Sequence, residues 1–470
     1  MKGVRVAPSL HREQKVRRIL LNLRSFMEDL EGRGDLLRVE DEVSPKFEIA
    51  AALRALDSGP AILFNKVKGF DYKVIGGVCG RRDRICRALG IESDAFYQSL
   101  LYAMEHPTPA KIVEDGPVKE VVEAPRLSRM PVLTHFEKDP GPYITSGILY
   151  AKSPDGSVKN VSFHRIQILD DGRATLRIVP RHLYRICQAA RGKVDALDVS
   201  ISLGLHPALM VAAASPAPFG VSEFEVANTL MDGGLQLVKC EHVDALAPAD
   251  AEIVLEGRIL LEEEALEGPF VDLTGTYDIQ RRQPVLEIVG VMHRKDYIYQ
   301  ALLPAGSEHL LLMGMPQEVR IWNYVQNIVP TVRGVNLTLG GCGWLHCVVS
   351  FKKFREGDPK NVLMAIFSAH PSLKHAVVVD EDIDPFDIEM IEWAIATRFK
   401  GDEDLLIIPN VRVSSLDPAS DQEAELGCKV GIDATRSLAK PKEKFSRAEI
   451  PISEDLKTLL ERLRGSMKRG

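Results

Sequence analysis

The hexapeptide Asn160-Val-Ser-Phe-His-Arg165 limits what this chain can fold into more than any other stretch. It follows the turn signal Ser153-Pro-Asp-Gly156 and lies on the second arm of a predicted hairpin whose first arm is Ile148-Leu-Tyr-Ala151. Asparagine, serine, histidine and arginine so close together on a core-facing strand are costly to bury unless each finds a partner. The fold must bring those partners from far along the chain. Three later stretches carry suitable groups: Pro180-Arg-His182, Pro218-Phe-Gly-Val-Ser-Glu223 and Glu267-Gly-Pro-Phe-Val-Asp272. The expectation is that all four segments meet at one cofactor and one metal.

The changing period of apolar residues divides the 470-residue chain into three domains of mixed α/β + β class. Residues 1–118 read as an N-terminal α/β domain and linker. A helix is predicted over 16–33, where Ile19, Leu20, Leu23, Phe26, Met27 and Leu30 recur at helical spacing. Strands at 61–64 and 72–75 and helices at 81–89 and 93–105 follow, and Pro107, Pro109 and Pro117 mark 106–118 as linker. Residues 119–312 read as a central, mostly antiparallel β-barrel domain. Its strands are predicted at 161–169, 174–179, 235–241, 251–260 and 285–292, with helical inserts at 181–191 and 222–231. Residues 313–470 read as a C-terminal α/β domain. A helix at 318–328 follows Pro316, and strands at 336–339 and 346–351 precede a helix that Asp358-Pro359 should open, with Asp358 as its N-cap. A βαβ unit is expected from 376–380, 386–399 and 405–408, and an exposed helix at 453–464.

Composition excludes several classes of function. A net charge of -7 gives no basic field for nucleic acid. Seven scattered cysteines suit free thiols in a reducing compartment, so a cytoplasmic protein is expected. The longest apolar run, Ala208 to Phe219, is too short for a membrane span and is broken by Pro216 and Pro218. The basic N-terminal residues Lys2, Arg5, Arg12, Lys15, Arg17 and Arg18 lack the apolar core of a signal peptide. There is no dinucleotide fingerprint, no P-loop lysine and no nucleophile elbow.

Spacing alone leaves the chemistry open. Asn160, His182 and Glu223 offer an amide oxygen, an imidazole and a carboxylate, a set suited to Mn²⁺, but from spacing alone they read first as satisfied polar residues of a β domain. Glu267 and Asp272 flank Gly268-Pro269-Phe270 and, with Arg165, form either an acid–base group or a solvated turn after Glu262-Glu263-Glu264. Gly340-Gly-Cys-Gly343 reads as a tight turn, and Asp380, Glu381, Asp382 and Asp384 as a solvated loop capping the next helix.

Longer motifs decide between these readings. Tyr143-Ile-Thr-Ser-Gly147, Asn160 to Arg165, Pro218 to Glu223, Val238-Lys-Cys-Glu241, Glu267 to Phe270 and Lys429-Val-Gly-Ile-Asp-Ala434 occur in the order that resembles the UbiD family of prenylated-FMN-dependent decarboxylases. The resemblance implies Mn²⁺ at Asn160, His182 and Glu223, clamping the flavin phosphate, with K⁺ nearby. It implies a flavin lying against Thr145, Ser162, Phe163, His164 and Arg165, with Arg177, Arg181, His182 and the Ala214-Ser215-Pro216 turn around it. Glu241 falls outside this set as a structural residue. Arg165, Glu267 and Asp272 would be the catalytic trio, with Asp where some relatives carry Glu. Arg165 would anchor the substrate carboxylate or the flavin edge, Glu267 would hold Arg165 and tune its neighbour, and Asp272 or Glu267 would return the proton. On a regular strand Asn160, Ser162 and His164 share one face and Arg165 points to the other, so either metal and trio lie on different sides of the flavin or the strand is bulged.

Ile178-Val-Pro-Arg-His-Leu-Tyr184, Phe270-Val-Asp-Leu-Thr-Gly-Thr-Tyr277 and His370-Pro-Ser-Leu-Lys-His375 are most similar to the archaeal branch. That branch implies an α,β-unsaturated phosphorylated acid, trans-anhydromevalonate 5-phosphate, converted to isopentenyl phosphate in a modified mevalonate route. Arg181, Arg177 and Lys429 are candidates for its phosphate. The rivals are a 4-hydroxybenzoate-type aromatic acid decarboxylase of quinone synthesis and a non-catalytic flavin-binding protein. The family also implies a flavin prenyltransferase as cofactor source, and dimers or larger homo-oligomers.

Overall fold

Asn22 starts the first helix, α1 (Leu23–Gly32): its side chain accepts from Ser25 N at 2.9 Å and its own N–H donates to Ser25 Oγ at 3.3 Å. Leu23, Phe26, Met27 and Leu30 are buried, as the helical spacing predicts. The computed structural model describes residues 21–448 and 450–467, so the predicted turn at 16–20 and the basic residues Lys2 to Arg18 lie outside the described residues. The N-terminal sheet runs β1 (Leu36–Val43), β2 (Ala61–Val67), β3 (Lys73–Gly76) and β18 (Ile298–Gln300), the last supplied from beyond the barrel. Helices α2 (Glu48–Ala55), α3 (Arg82–Leu89) and α4 (Phe96–Glu105) complete this domain.

The expected linker does more than connect. Its strand β4 (Lys111–Val113) pairs in parallel with β12 (Gln236–Lys239), which also pairs with β13 (Leu246–Pro248).

The central sheet has nine strands, and all its pairs are antiparallel. Its path is β6 (Tyr143–Ile144), β9 (Ile166–Ile168), β10 (Arg173–Leu176), β17 (Arg281–His293), β14 (Ile253–Glu267), β11 (Ala196–Leu203), β7 (Ile148–Lys152) and β8 (Lys159–Phe163), with β5 (Val121–Glu123) beside β17. The strand expected over 161–169 is therefore two strands at opposite ends of the path, joined only by His164 and Arg165. Two residues can bridge the two ends only if the sheet curls back on itself. Gly147 permits the close approach at this seam: it accepts from His164 N at 3.4 Å, and a Cβ there would lie 2.8 Å from Ile201 Cγ2. Inside the curl, Leu149, Ile166, Val199, Ile201, Ile253, Leu255 and Leu286 form one apolar core. Helices α5 (His182–Ala190), α6 (Pro207–Ala213) and α7 (Glu223–Leu230) are inserted between strands.

Helix α8 (Ser307–Gln326) begins well before the expected position and runs through Pro316. Leu312, Met315, Val319, Ile321 and Val325 are buried along it. Burial at about 1.5–3 kcal/mol per side chain outweighs the ~3 kcal/mol cost of an interior proline. The C-terminal sheet is ordered β19 (Val332–Leu337), β20 (His346–Phe351), β21 (His375–Asp380), β23 (Leu426–Ala434) and β22 (Leu405–Arg412). Its βαβ unit is β20, α9 (Asp358–Ala369) and β21; the expected partner β22 is separated from β21 by β23 and runs antiparallel to it. Asp358 is the first residue of α9 and its carboxylate accepts from Phe354 N and Arg355 N, so it closes the preceding loop instead of capping the helix. Asp380 and Asp382 are held by Arg398, whereas Asp387 caps α10 (Ile388–Arg398), so the acidic run begins in a buried ion pair. Helix α11 (Glu454–Met467) ends the described chain. Among the described residues no helix is long and apolar enough to cross a membrane.

Candidate active site

At the seam between β8 and β9, Arg165 meets three carboxylates. Its Nε and Nη2 donate to the two oxygens of Glu267 at 2.9 and 3.0 Å, Nη1 donates to Asp272 Oδ2 at 3.0 Å, and Nη2 donates to Asp278 Oδ2 at 3.1 Å. A guanidinium has five N–H groups. One Nη1–H is left, on the side of Asp272. Burial works against the charge of Arg165, but the three carboxylates outweigh it and hold its pKa above the ordinary value.

The acids are presented by a turn and a short hairpin. Glu267 ends β14, and Gly268, with φ of +90°, turns the chain at Pro269. β15 (Phe270–Val271) and β16 (Tyr277–Asp278) then place Asp272 and Asp278 at the base of one loop, closed by Asp272 N donating to Thr276 O. Glu267 is fully enclosed, with the Tyr143 hydroxyl 3.3 Å from its Oε1. That hydroxyl also lies 2.9 Å from Gln167 Oε1 and accepts from Gly268 N at 3.0 Å. The Asp272 side chain is 24% exposed, the most open of the three. Burial raises the Asp278 carboxyl, but Arg281 and Arg165 together bring it below the usual range. The Phe270 ring lies 5.3 Å from the Arg165 guanidinium carbon.

A second polar chain runs along β8. Ser162 Oγ donates to Asn160 Oδ1 at 3.0 Å and lies 3.0 Å from His164 Nε2, and His164 Nδ1 lies 2.9 Å from the Arg177 carbonyl. Burial lowers the His164 pKa to about 4. At the far end Asn160 Nδ2 donates to Glu223 Oε1 at 3.1 Å, Val161 N donates to Oε2 at 2.6 Å, and His182 Nδ1 is 3.9 Å from Oε1. Asn160, Ser162 and His164 thus share a face, as the strand period predicts. Asn160, His182 and Glu223 converge, with both His182 and Glu223 at helix starts. Among the described residues no three His, Cys, Asp or Glu side chains cluster in a way that could hold a metal.

The remaining candidates divide. Thr145 Oγ1 donates to Leu302 O at 2.7 Å, and Phe163 packs half-buried on the core. The Ala214-Ser215-Pro216 turn follows α6, and the Ser215 hydroxyl is shielded from solvent with no hydrogen-bond partner. The Arg177 guanidinium makes no hydrogen bond among the described residues; burial and the like charges of Arg281 and Arg165 lower its pKa. Arg181 lies over Trp344 at 5.8 Å, away from the trio. Lys429 Nζ donates to the carbonyls of Pro371 and Leu373. Glu241 pairs with Lys119 at 2.5 Å.

Three groups at the site went unread in the sequence. Tyr143 and Asp278 are described above. His309, in the first turn of α8, accepts from Ala305 N at 3.1 Å through Nδ1, so its neutral ring carries the proton on Nε2. Burial lowers its pKa, Asp272 opposes and Arg165 adds to that shift, and the next residue, Leu310, packs with Leu273, which follows Asp272.

Comparison with known proteins follows this geometry. The model of the 3-octaprenyl-4-hydroxybenzoate carboxy-lyase Rift-related domain (UbiD) matches residues 111–307, and those of the N- and C-terminal domains of the same carboxy-lyase match 27–104 and 310–434. An anhydromevalonate phosphate decarboxylase from Methanothermobacter thermautotrophicus is 49% identical over 427 residues, covering 90% of this chain and 99% of that one. The UbiD-class enzyme HmfF from Pelotomaculum thermopropionicum, in complex with FMN, superposes with a TM-score of 0.89 at 40% identity over 92% of this chain and 97% of that one. An evolved dimeric form of HmfF in complex with prFMN gives 0.86 at 37% identity over 93% and 99%.

Proposed function

The chain belongs to the UbiD family of carboxy-lyases, and from that premise we propose that it decarboxylates trans-anhydromevalonate 5-phosphate to isopentenyl phosphate in a modified mevalonate route. The substrate reading rests on the relative of that name and on the likeness along almost the whole length of both chains. The cofactor reading, prenylated FMN, rests on the flavin complexes of the structural neighbours. Mn²⁺ at Asn160, His182 and Glu223, with K⁺ beside it, belongs to the same proposal. The donors fit: an amide, an imidazole and one carboxylate suit a divalent ion and leave it free to take an anionic phosphate. The buried Ser215 hydroxyl, without a hydrogen-bond partner among the described residues, has a bond to offer a ligand. A flavin prenyltransferase as cofactor source, a homodimer or larger assembly and a cytoplasmic site complete the reading.

When bound, prenylated FMN supplies the electron sink that an sp² carbon needs as its carboxylate leaves. The chain's own residues do the rest. The uncommitted Nη1–H of Arg165 receives the substrate carboxylate as a charge-assisted hydrogen bond. Glu267, bidentate and fully enclosed, fixes the plane of that guanidinium. Asp272 has one tie to Arg165 and is partly exposed, so it is the group free to return a proton to the carbon that lost CO₂. Phe270 and Leu273 keep water away from the reacting bond.

The observation that carries this reading is the single free N–H of Arg165 beside the most exposed of its three acids. Protein loaded with prenylated FMN should form isopentenyl phosphate from the phosphorylated acid and leave 4-hydroxybenzoate-type acids untouched. Turnover of the aromatic acids alone would overturn the substrate, and no turnover of either by fully loaded protein would leave a flavin-binding protein without catalysis.

A further inference from the structure

Arg181, Arg320 and Lys429 belong to one region between the barrel and the C-terminal domain: Arg181 lies over Trp344, Trp344 meets His370, and Lys429 binds the carbonyl of Pro371, the residue after His370. Arg181 caps α5, Arg320 lies on α8, and Lys429 lies on β23. None of the three makes an ion pair among the described residues; Lys429 is held by the carbonyls of Pro371 and Leu373, at 2.6 and 2.5 Å, and lies 5.4 Å from the centre of the Phe367 ring. Their neighbour Arg412 is paired with Glu425, and Lys374 with Asp417, so the shortage of counter-charge is local. Burial lowers the Arg181 pKa, and Arg320 and Arg412 lower it further; burial also lowers Lys429 to about 8. His370 Nε2 lies 3.1 Å from Trp344 O, and the carbonyl of the next residue, Pro371, holds Lys429; burial holds the His370 ring neutral with a pKa of about 3, so it adds a polar surface without charge.

An apolar wall joins this cluster to the catalytic trio. Leu273, Leu310 and Trp344 pack together as a small core of their own. Leu273 follows Asp272, Leu310 follows His309, and Trp344 carries Arg181 over its ring at 5.8 Å and meets the His370 ring at 4.4 Å. On α8, His309, Met313 and Arg320 share one face, and the eleven residues from His309 to Arg320 correspond to about 16 Å of axis, shortened by the tilt of side chains toward the N-terminus. A carboxylate site, a short apolar wall and an unpaired cationic pole thus lie in sequence.

We propose that Arg181, Arg320 and Lys429 form the subsite for the phosphate of the substrate, with Trp344, Leu273 and Leu310 holding the carbon chain between that phosphate and Arg165. This rests on the substrate reading above. Like charges held together in a partly dry cleft repel, and a dianion relieves that repulsion with charge-assisted bonds. An acid without the phosphate gains nothing there, so the subsite selects the phosphorylated substrate.

The test compares trans-anhydromevalonate 5-phosphate with its dephosphorylated acid on cofactor-loaded wild type, Arg320→Gln and Lys429→Gln, with flavin content read from absorbance. Loss of one charge-assisted contact corresponds to about tenfold or more in affinity. The expected result is a fall of about tenfold or more in kcat/KM for the phosphorylated acid, mostly in KM, a fall below about twofold for the dephosphorylated acid, and full flavin content. Wild-type discrimination that survives both substitutions overturns the subsite alone. Flavin loss in Arg320→Gln assigns the cluster to the cofactor and also overturns it. Equal kcat/KM for the two acids in the wild type overturns the subsite together with the substrate reading beneath it.

Discussion

Arg165 and Glu267 form a two-pronged ion pair, Nε to Oε1 at 2.9 Å and Nη2 to Oε2 at 3.0 Å, with Glu267 wholly enclosed. Only one prong can survive if one carboxylate oxygen becomes an amide, because the new N–H groups then face the guanidinium in place of the other. Glu267→Gln should therefore let the Arg165 plane swing, and a misplacement of that kind costs about 100-fold or more in rate. The flavin should stay bound, since Glu267 lies on the opposite side of the seam from Asn160 and Glu223. CO₂ release and flavin absorbance on the same sample check both halves; full activity would refute the positioning role.

Asp272→Asn separates proton return from carboxylate binding. The amide can still meet Arg165 but has no acid proton to give, so kcat should fall by about 10²–10⁴ with little change in KM. The readout is steady-state turnover in D₂O with deuterium incorporation followed by NMR. An unchanged kcat would move the proton to Glu267.

The cradle at the other end of β8 makes a separate prediction. Replacing Asn160 and Glu223 together by Ala removes two of three donors and the acceptor of Val161 N. Flavin affinity should fall by more than the about 10–100-fold that losing a supporting partner costs, and EDTA should weaken wild-type retention in the same direction. Gel filtration followed by absorbance decides this; flavin that stays bound in the metal-stripped double variant ends the metal assignment.

Local pairings were legible in the sequence, and long-range ones were not. Glu267 and Asp272 stand close together around a Gly-Pro turn, so the turn was legible locally, but it reads also as a solvated turn and only the family resemblance favoured an acid–base group. Asp278 sits on the return arm of a two-residue strand, too short for any period to show. His309 was hidden because Pro316 reads as a break, whereas buried apolar residues carry α8 through it. Strand β11 did carry its signal, with Leu197, Val199, Ile201 and Leu203 alternating with Asp198, Ser200 and Ser202, yet it is missing from the expected elements. The break at His164 and Arg165 is different in kind. It follows from β8 and β9 pairing with strands at opposite ends of the sheet, which no local pattern encodes.

That seam can be tested through Gly147. An added Cβ would lie 2.8 Å from Ile201 Cγ2 and 3.3 Å from Ile144 Cγ2, both in the barrel core. Overpacking of this kind costs about 1–3 kcal/mol. Gly147→Ala should lower Tm and loosen flavin binding together, because the same residue accepts from His164 N. A variant as stable as the wild type would show that the seam has slack.

Stability should also depend on pH through Glu308, the neighbour of His309 in the first turn of α8. Its Oε1 accepts from Cys79 N at 2.7 Å and its Oε2 from Gly77 N at 2.9 Å, tying α8 to the N-terminal domain. Burial pushes its carboxyl up to about 7 from an ordinary 4.5, although those two amides and Arg84 favour the charged form. The folded protein then keeps this proton over a range where the unfolded chain has released it. The stabilisation is fully present below pH 4.5 and is lost as pH rises through 7, amounting to about 3 kcal/mol over the whole window. Glu308→Gln cannot titrate, so its Tm lacks this component. Between pH 4.5 and 7 the wild-type Tm should fall relative to the variant by roughly 3–6 °C. Parallel Tm profiles for the two proteins would show that Glu308 is already ionised in the folded state, with the Gly77 and Cys79 amides strong enough to offset its burial.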